Sequence, residues 1–214
     1  AALSLVEQVV ATFGRVDCVA NVAATTSRGS LVDTTPELFD THINVNLKGP
    51  FFVMQGAVKD MQRRSAPGTI VNIMSIAAHG GQPYLAPYVA SKSGLGGLTK
   101  NAAHAHRFDR IRINGVNIGW TITEGEEVVQ RTAHGATDGW LEEASANQPM
   151  GKLGQPDEVL FAALSREAEL RMSEFNAQDM TNTAWAFATQ GQLDEALFAA
   201  LAREAKLRMS EFSA

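Results

Sequence analysis

The 214 residues include a single cysteine, Cys18, so no disulfide can close within the chain, a usage that fits a reducing compartment. The expected location is cytoplasmic, with an organelle as the other such compartment. No apolar run approaches the roughly 18 residues a membrane-crossing helix needs, so no such helix is expected. A basic excess is also missing. The 18 Lys and Arg stand against 23 Asp and Glu, a net charge of −5, without the electrostatic footprint of a nucleic-acid or acidic-membrane surface. Charged residues make up only 19%, but the 45% apolar content excludes a disordered chain, and the length suits one α/β domain or a smaller one with an appendage. No grouping of Cys, His and carboxylates has metal-ligand spacing, His104 and His106 included, so no metal site is expected. No methionine opens the chain, which starts Ala1-Ala2 and reaches its first Met at Met54. Nothing resembling a basic, apolar leader precedes the first helical pattern.

What is present alternates between two periodicities. Val6, Val9, Val10 and Phe13 share one face of a helix over 2–13 that Gly14 stops. An apolar strand over 17–24 follows within three residues, the second half of a βαβ unit. The expectation is therefore an excerpt that opens in mid-motif, the strand before this helix missing. Thr34 and Glu37 have capping-box spacing around Pro36, predicting a helix from there to Arg64 with a kink. Strands are expected at 68–74 and 112–119, with a helix from Tyr84 to about Ala105 between them. That alternation implies parallel strands joined by crossover helices. The Gly-punctuated stretch 121–156 carries Glu124, Glu126, Glu127, His134 and Trp140 and reads as a lid or binding loop; Trp120 before it would line a pocket or fill a strand end.

The last quarter differs in kind. Asp157–Phe175 recurs at Asp194–Phe212, with 16 of 19 positions identical and a period of 37. Residues 1–156 carry 13 basic and 13 acidic side chains, whereas 157–214 carry 5 and 10, so the whole net charge lies in the repeat. The division expected is an α/β domain over 1–156 and an α-helical repeat tail over 157–214 of about one and a half units. Asn182–Ala188 within it resembles octotricopeptide-like repeats, which supports an alternative reading of the chain as a non-catalytic scaffold or RNA-associated repeat protein arising from a domain fusion. The acidic balance makes nucleic acid an unfavoured partner.

Tyr88 and Lys92 stand at i and i+4, one above the other on a helix. An ammonium beside a phenol favours the phenolate and brings a group of pKa near 10 within reach of neutral-pH proton transfer. Ser75 falls at the carboxyl end of the second strand, where open α/β sheets bind ligands, and its hydroxyl can bond the oxygen that the phenol protonates. Asn46 lies in the preceding helix, placed to organise a water near Lys92. Asn21 and the segment Ile118-Gly119-Trp120-Thr121-Ile122-Thr123 end the other two strands.

Together these residues resemble the short-chain dehydrogenase/reductase family over about 1–158. Asn21-Val22-Ala23-Ala24 is similar to its Asn-Asn-Ala-Gly strand motif, and Asn46-Leu47-Lys48-Gly49 to the helix motif carrying the catalytic Asn. Ser75, Tyr88 and Lys92 match its Ser and Tyr-x-x-x-Lys, Ile118-Gly119 falls at its Pro-Gly, and Gly154–Val159 looks like its Gly-x-Pro-Glu-Glu-Val segment. The resemblance implies a Rossmann-like parallel sheet with flanking helices, partial here at about three strands. It also implies hydride transfer between NAD or NADP and a secondary alcohol or ketone. Tyr88 would be the acid/base, Ser75 would position the substrate oxygen, Lys92 would depress the tyrosine pKa and bind the ribose, and Asn46 would hold a relay water. Asn21, Ala23, Tyr88, Lys92, Ile118, Gly119, Thr121 and Thr123 would contact the cofactor. Helices over 37–64 and 84–105 would join two copies. The family's Thr-Gly-x-x-x-Gly-x-Gly turn, which receives the pyrophosphate, has no match, so the truncated chain alone is expected to bind the cofactor weakly and to be inactive.

Overall fold

The computed structural model describes residues 2–80, 82–149, 151–155 and 203. Two compact units are present: Ala1–Gly119 with Val128–Thr137, and Trp120–Glu127 with the described residues from Asp138 onward. Apart from Arg203, the 37-residue repeat lies outside the described residues, as does the boundary at 156/157.

In the first unit, α1 (Ala2–Phe13) ends at Gly14, whose φ of +80° costs a glycine little and whose N–H closes the last turn onto Val10 O at 2.8 Å. β1 (Cys18–Asn21) follows, shorter than the predicted 17–24. α2 (Pro36–Ile43), a π turn over Asn44–Lys48 and α3 (Gly49–Arg63) span the predicted helix. The capping residue is Thr35 rather than Thr34: Thr35 Oγ1 accepts from Leu38 N at 3.2 Å, while the Thr34 hydroxyl is committed to Ser30 O. β2 (Gly68–Ser75) and β3 (Ile111–Ile118) flank α4 (Ala86–Ala105) in sequence.

The three strands form a parallel sheet in the order β1-β2-β3, with Asn21 opposite Asn72 and Ser75 opposite Ile118. Parallel pairing puts all three carboxyl ends on one edge, and β1 stops three positions before β2 does in register. The core joins Met54, Ala57, Val58 and Met61 of α3 to Ile70, Ile111 and Ile113 of the sheet, with Val9, Leu98 and Ala102 against them. Among the described residues β1 and β3 are both edges, each pairing only with β2.

The join between α1 and β1 is fastened by a buried carboxylate. Asp60, 6% exposed, accepts from Val16 N at 3.1 Å, Arg63 at 2.6 Å and Arg64 at 2.9 Å, while Arg64 also reaches Val16 O. Burial raises the pKa of this carboxyl, but the bonds from Arg63, the Val16 amide and Arg64 outweigh it and hold it below the ordinary value. Asp60→Ala should therefore cost about 2 kcal/mol at pH 7 in urea unfolding, because the buried Val16 amide and Arg64 lose a charged acceptor, while Arg64 keeps Asp17 at 3.2 Å and Arg63 is solvated. A depressed native pKa means that the unfolded state binds the proton first as the pH falls. The contribution is thus present above the unfolded value and lost on acidification, and the gap between wild type and variant should close below pH 4. A gap independent of pH would contradict this account.

In the second unit, Ile122 N bonds Gly154 O and Gly154 N bonds Trp120 O, both at 2.9 Å, around a bridge between Thr121 and Gly154. The indole of Trp120 donates to Glu126 and that of Trp140 to Glu127, with the rings 6.3 Å apart. Leu153 is buried at 2% exposure. Helix α5 (Glu124–Ala133) begins in this unit and α6 (Trp140–Ala146) lies within it. Among the described residues no helix is long and apolar enough to cross a membrane.

Candidate active site

α4 begins two residues later than predicted because Tyr84 and Leu85 are drawn into pairing with the loop after β1. Gly29 N bonds Tyr84 O at 2.9 Å and Ala86 N bonds Gly29 O at 3.0 Å. The helix then carries Tyr88, Ser91 and Lys92 inward, all three buried at 8, 0 and 3% exposure. Ser75 ends β2 at 7% exposure, its hydroxyl accepting from Ala77 N at 3.1 Å to cap the short 3-10 turn Ile76–His79. Ala77 and Tyr88 pack in one apolar cluster with Leu85, so the end of β2 and the start of α4 are in contact.

Lys92 reaches back along the sheet. Its Nζ donates to Ile73 O at 2.7 Å and lies 5.9 Å from the centre of the Tyr88 ring. Desolvation by burial lowers its pKa from 10.5 to about 8. A cation held this dry beside a phenol lies close to its own titration point near neutral pH, which is the electrostatic signature of proton-transfer sites.

Asn46 occupies the π turn, a distortion that often marks functional sites in helices. Gly94 of α4 permits the approach: a Cβ there would lie 3.0 Å from Leu47 Cδ2. The Asn46 side chain is fully buried. It accepts from Thr25 N at 2.8 Å, donates to Thr25 O at 3.0 Å and donates to Ser91 Oγ at 3.0 Å. Both amide hydrogens are spent on protein atoms, so the expected water can be held only by the remaining lone pair of Oδ1 or by the backbone.

Asn21 also turns inward. Its carboxamide donates to Asn72 Oδ1 at 2.8 Å, and Asn72 donates to Thr99 Oγ1 at 2.9 Å, a polar relay from β1 through β2 to α4. Ala23 lies exposed in the loop after β1, and Ile118 and Gly119 end β3, Gly119 exposed. Thr121 and Thr123 belong to the second unit; Thr123 Oγ1 accepts from Glu126 N at 3.0 Å at the start of α5. The structure thus gathers Asn46, Ser75, Tyr88 and Lys92 around one sheet edge, with Asn21 serving the sheet interior.

Two buried neighbours are invisible to motif reading. Ser91 is only a spacer in Tyr-x-x-x-Lys. His42, fully buried, bonds Leu38 O through Nδ1 at 2.9 Å and packs edge-on to Tyr88 at 6.4 Å between ring centres. Its Nε2 has no hydrogen-bond partner among the described residues. The only sequence signal for His42 is its position one helical turn before Asn46. Among the described residues no three His, Cys or carboxylate groups could hold a metal ion.

The enoyl-(acyl carrier protein) reductase family profile matches residues 1–165. An uncharacterized oxidoreductase of Thermotoga maritima is 36% identical over 160 residues, 75% of this chain and 63% of its own length. The 3-oxoacyl-(acyl-carrier-protein) reductase FabG of the same organism is 37% identical over 155 residues, 72% of this chain and 60% of its own. Among solved structures, a single-substitution variant of actinorhodin polyketide ketoreductase with NADPH aligns at TM-score 0.70 and 30% identity, covering 76% of this chain and 64% of that one. ElxO with NADP bound aligns at TM-score 0.66 and 33% identity over the same shares. The chain spans 60–63% of the length of these curated relatives.

Proposed function

Because this chain belongs to the short-chain dehydrogenase/reductase family, we propose that it carries the catalytic portion of an NAD(P)-dependent oxidoreductase acting on a secondary alcohol or ketone. The observation that carries the reading is the buried Lys92 ammonium beside the Tyr88 ring, with Ser75 at the neighbouring strand end. A parallel sheet binds its ligand outside the carboxyl ends of its strands, where these groups lie.

In this reading Tyr88 donates the proton to the ketone oxygen, and takes it back in the oxidation direction. The Ser75 hydroxyl hydrogen-bonds the same oxygen and fixes its position. Lys92, as a cation, stabilises the phenolate that forms, and its position suits a hydroxyl of the ribose. Asn46 holds the π turn against α4 and the loop after β1. When bound, the nicotinamide supplies or accepts the hydride.

The residues present fit the nicotinamide–ribose end of a dinucleotide: a buried cation, a phenol and the exposed, small Ala23 and Gly119 line the sheet edge. They fit the pyrophosphate end less well, since the sequence contains no Thr-Gly-x-x-x-Gly-x-Gly turn to cradle it at a helix N-terminus.

The test is a pair of measurements. NADPH fluorescence should not respond to the 214-residue chain at micromolar concentration, and should respond when the chain is extended at its N-terminus by a glycine-turn βαβ segment. The extended form should consume NADPH with a small ketone. Micromolar binding by the 214-residue chain would refute the need for a glycine-rich turn. Failure of the extended form to turn over any ketone or secondary alcohol, while binding NADPH, would refute the function.

A further inference from the structure

Ser91 lies three residues after Tyr88 and one before Lys92, and none of its surface reaches solvent. Its hydroxyl makes two bonds whose directions are fixed. The carbonyl oxygen of Tyr88, 2.7 Å away, can only accept, so Ser91 donates to it; the Asn46 Nδ2, 3.0 Å away, can only donate, so Ser91 accepts from it. Asn46 is locked in turn. The Thr25 amide requires the carboxamide oxygen and the Thr25 carbonyl requires the nitrogen, so a flipped side chain would lose both bonds.

Helix stability does not account for a serine at this position. A serine bonded back to the carbonyl three residues earlier weakens and bends a helix, and alanine is the better helix former. What the hydroxyl adds is a connection. It ties the turn holding both Tyr88 and Lys92 to the π turn, 45 residues away in sequence, and through Asn46 to the loop that follows β1.

We propose that Ser91 is a positioning residue for the hydride-transfer site: with Asn46 it clamps the Tyr88–Lys92 turn to Thr25, so that the geometry between phenol and ammonium is set from the β1 side of the sheet. The inference rests on the reading of Tyr88 and Lys92 as the acid–base pair, and it separates from that reading experimentally.

The chain has two tyrosines, Tyr84 and Tyr88, so the ionisation of Tyr88 can be followed by carbon-13 NMR of ring-labelled tyrosine in the full 214-residue chain, with Y84F assigning the signals. No cofactor is required. Ser91→Ala should raise the Tyr88 midpoint of the coupled Tyr88–Lys92 titration by about one pH unit as the two groups are held less closely. Ser91→Thr, which keeps the hydroxyl, should restore it. Ser91→Cys, of similar volume but a weak donor, should behave like alanine and replaces it should the alanine variant unfold. A lowered melting temperature with an unmoved phenol midpoint would make Ser91 merely structural and overturn the proposal. Lys92→Met serves as the reference. A midpoint unmoved in that variant defeats the acid–base pair itself, whereas one that moves there and not in the Ser91 variants defeats only the clamp.

Discussion

Tyr88→Phe should lower ketone reduction by about 10²–10⁴-fold, the range over which a positioned general acid contributes, while leaving NADPH affinity and folding nearly unchanged. The ring makes the packing contacts, with Ala77 and Leu85 in its cluster and His42 edge-on at 6.4 Å, and phenylalanine preserves all of them. The group removed is the hydroxyl that would carry the proton. The measurement is the initial rate of NADPH consumption at saturating cofactor, in the form of the protein that binds it. A loss confined to kcat identifies an interaction made in the transition state. A variant retaining half the wild-type rate would remove Tyr88 from the chemistry and leave Ser75 or a water as the proton source.

Lys92→Met should make the protein more stable and less active at once. At 3% exposure the ammonium is held near pKa 8, against 10.5 in an unfolded chain, so burying it costs about 3 kcal/mol at neutral pH. Below pH 8 the side chain is protonated in both states and the full cost applies. Between pH 8 and 10.5 the unfolded state keeps a proton that the folded state has released, so wild-type stability climbs with pH across that window. Above it both states are neutral and the cost is gone. Methionine carries no such penalty, so its advantage is greatest near pH 7 and vanishes by about pH 10.5. The lost bond to Ile73 O and the lost contact with the Tyr88 ring offset part of the gain, leaving about 1–3 kcal/mol in urea unfolding. A variant less stable than wild type at pH 7, with a difference that ignores pH, would show that the ammonium is well solvated or well paired. A dry cation retained against stability is what a site selected for reactivity looks like.

Much of the scaffold is readable in the one-dimensional pattern. The helix over 2–13, the long helical run after Pro36 and the strand–helix–strand run from Gly68 to Ile118 follow from apolar spacing and from Pro36, Gly14 and Gly68. The misses share a cause. Capping-box spacing singles out Thr34, but the turn at Ser30 claims its hydroxyl and Thr35 takes the cap. The pattern starts α4 at Tyr84, but Gly29, 55 residues earlier, pairs with that backbone and delays the helix to Ala86. Asn21, which motif resemblance turns toward a cofactor, spends its carboxamide on Asn72 of the adjacent strand, a partner that the local pattern does not show. Each competitor lies in another turn or element, beyond the reach of local propensity.

What the sequence alone determined was which residues share a face. A 3.6-residue period puts Tyr88 above Lys92 in any helix, and a strand ending at Ser75 sets a hydroxyl at the sheet margin in any parallel arrangement. What only the tertiary structure decided was the state of those groups. The shift of Lys92 depends on how much water α4 and β2 exclude from it, and the fixed orientation of Asn46 depends on Thr25 and Ser91, 21 and 45 residues away. Periodicity is a property of the backbone and is written locally; desolvation and hydrogen-bond partnership arise only when distant segments pack.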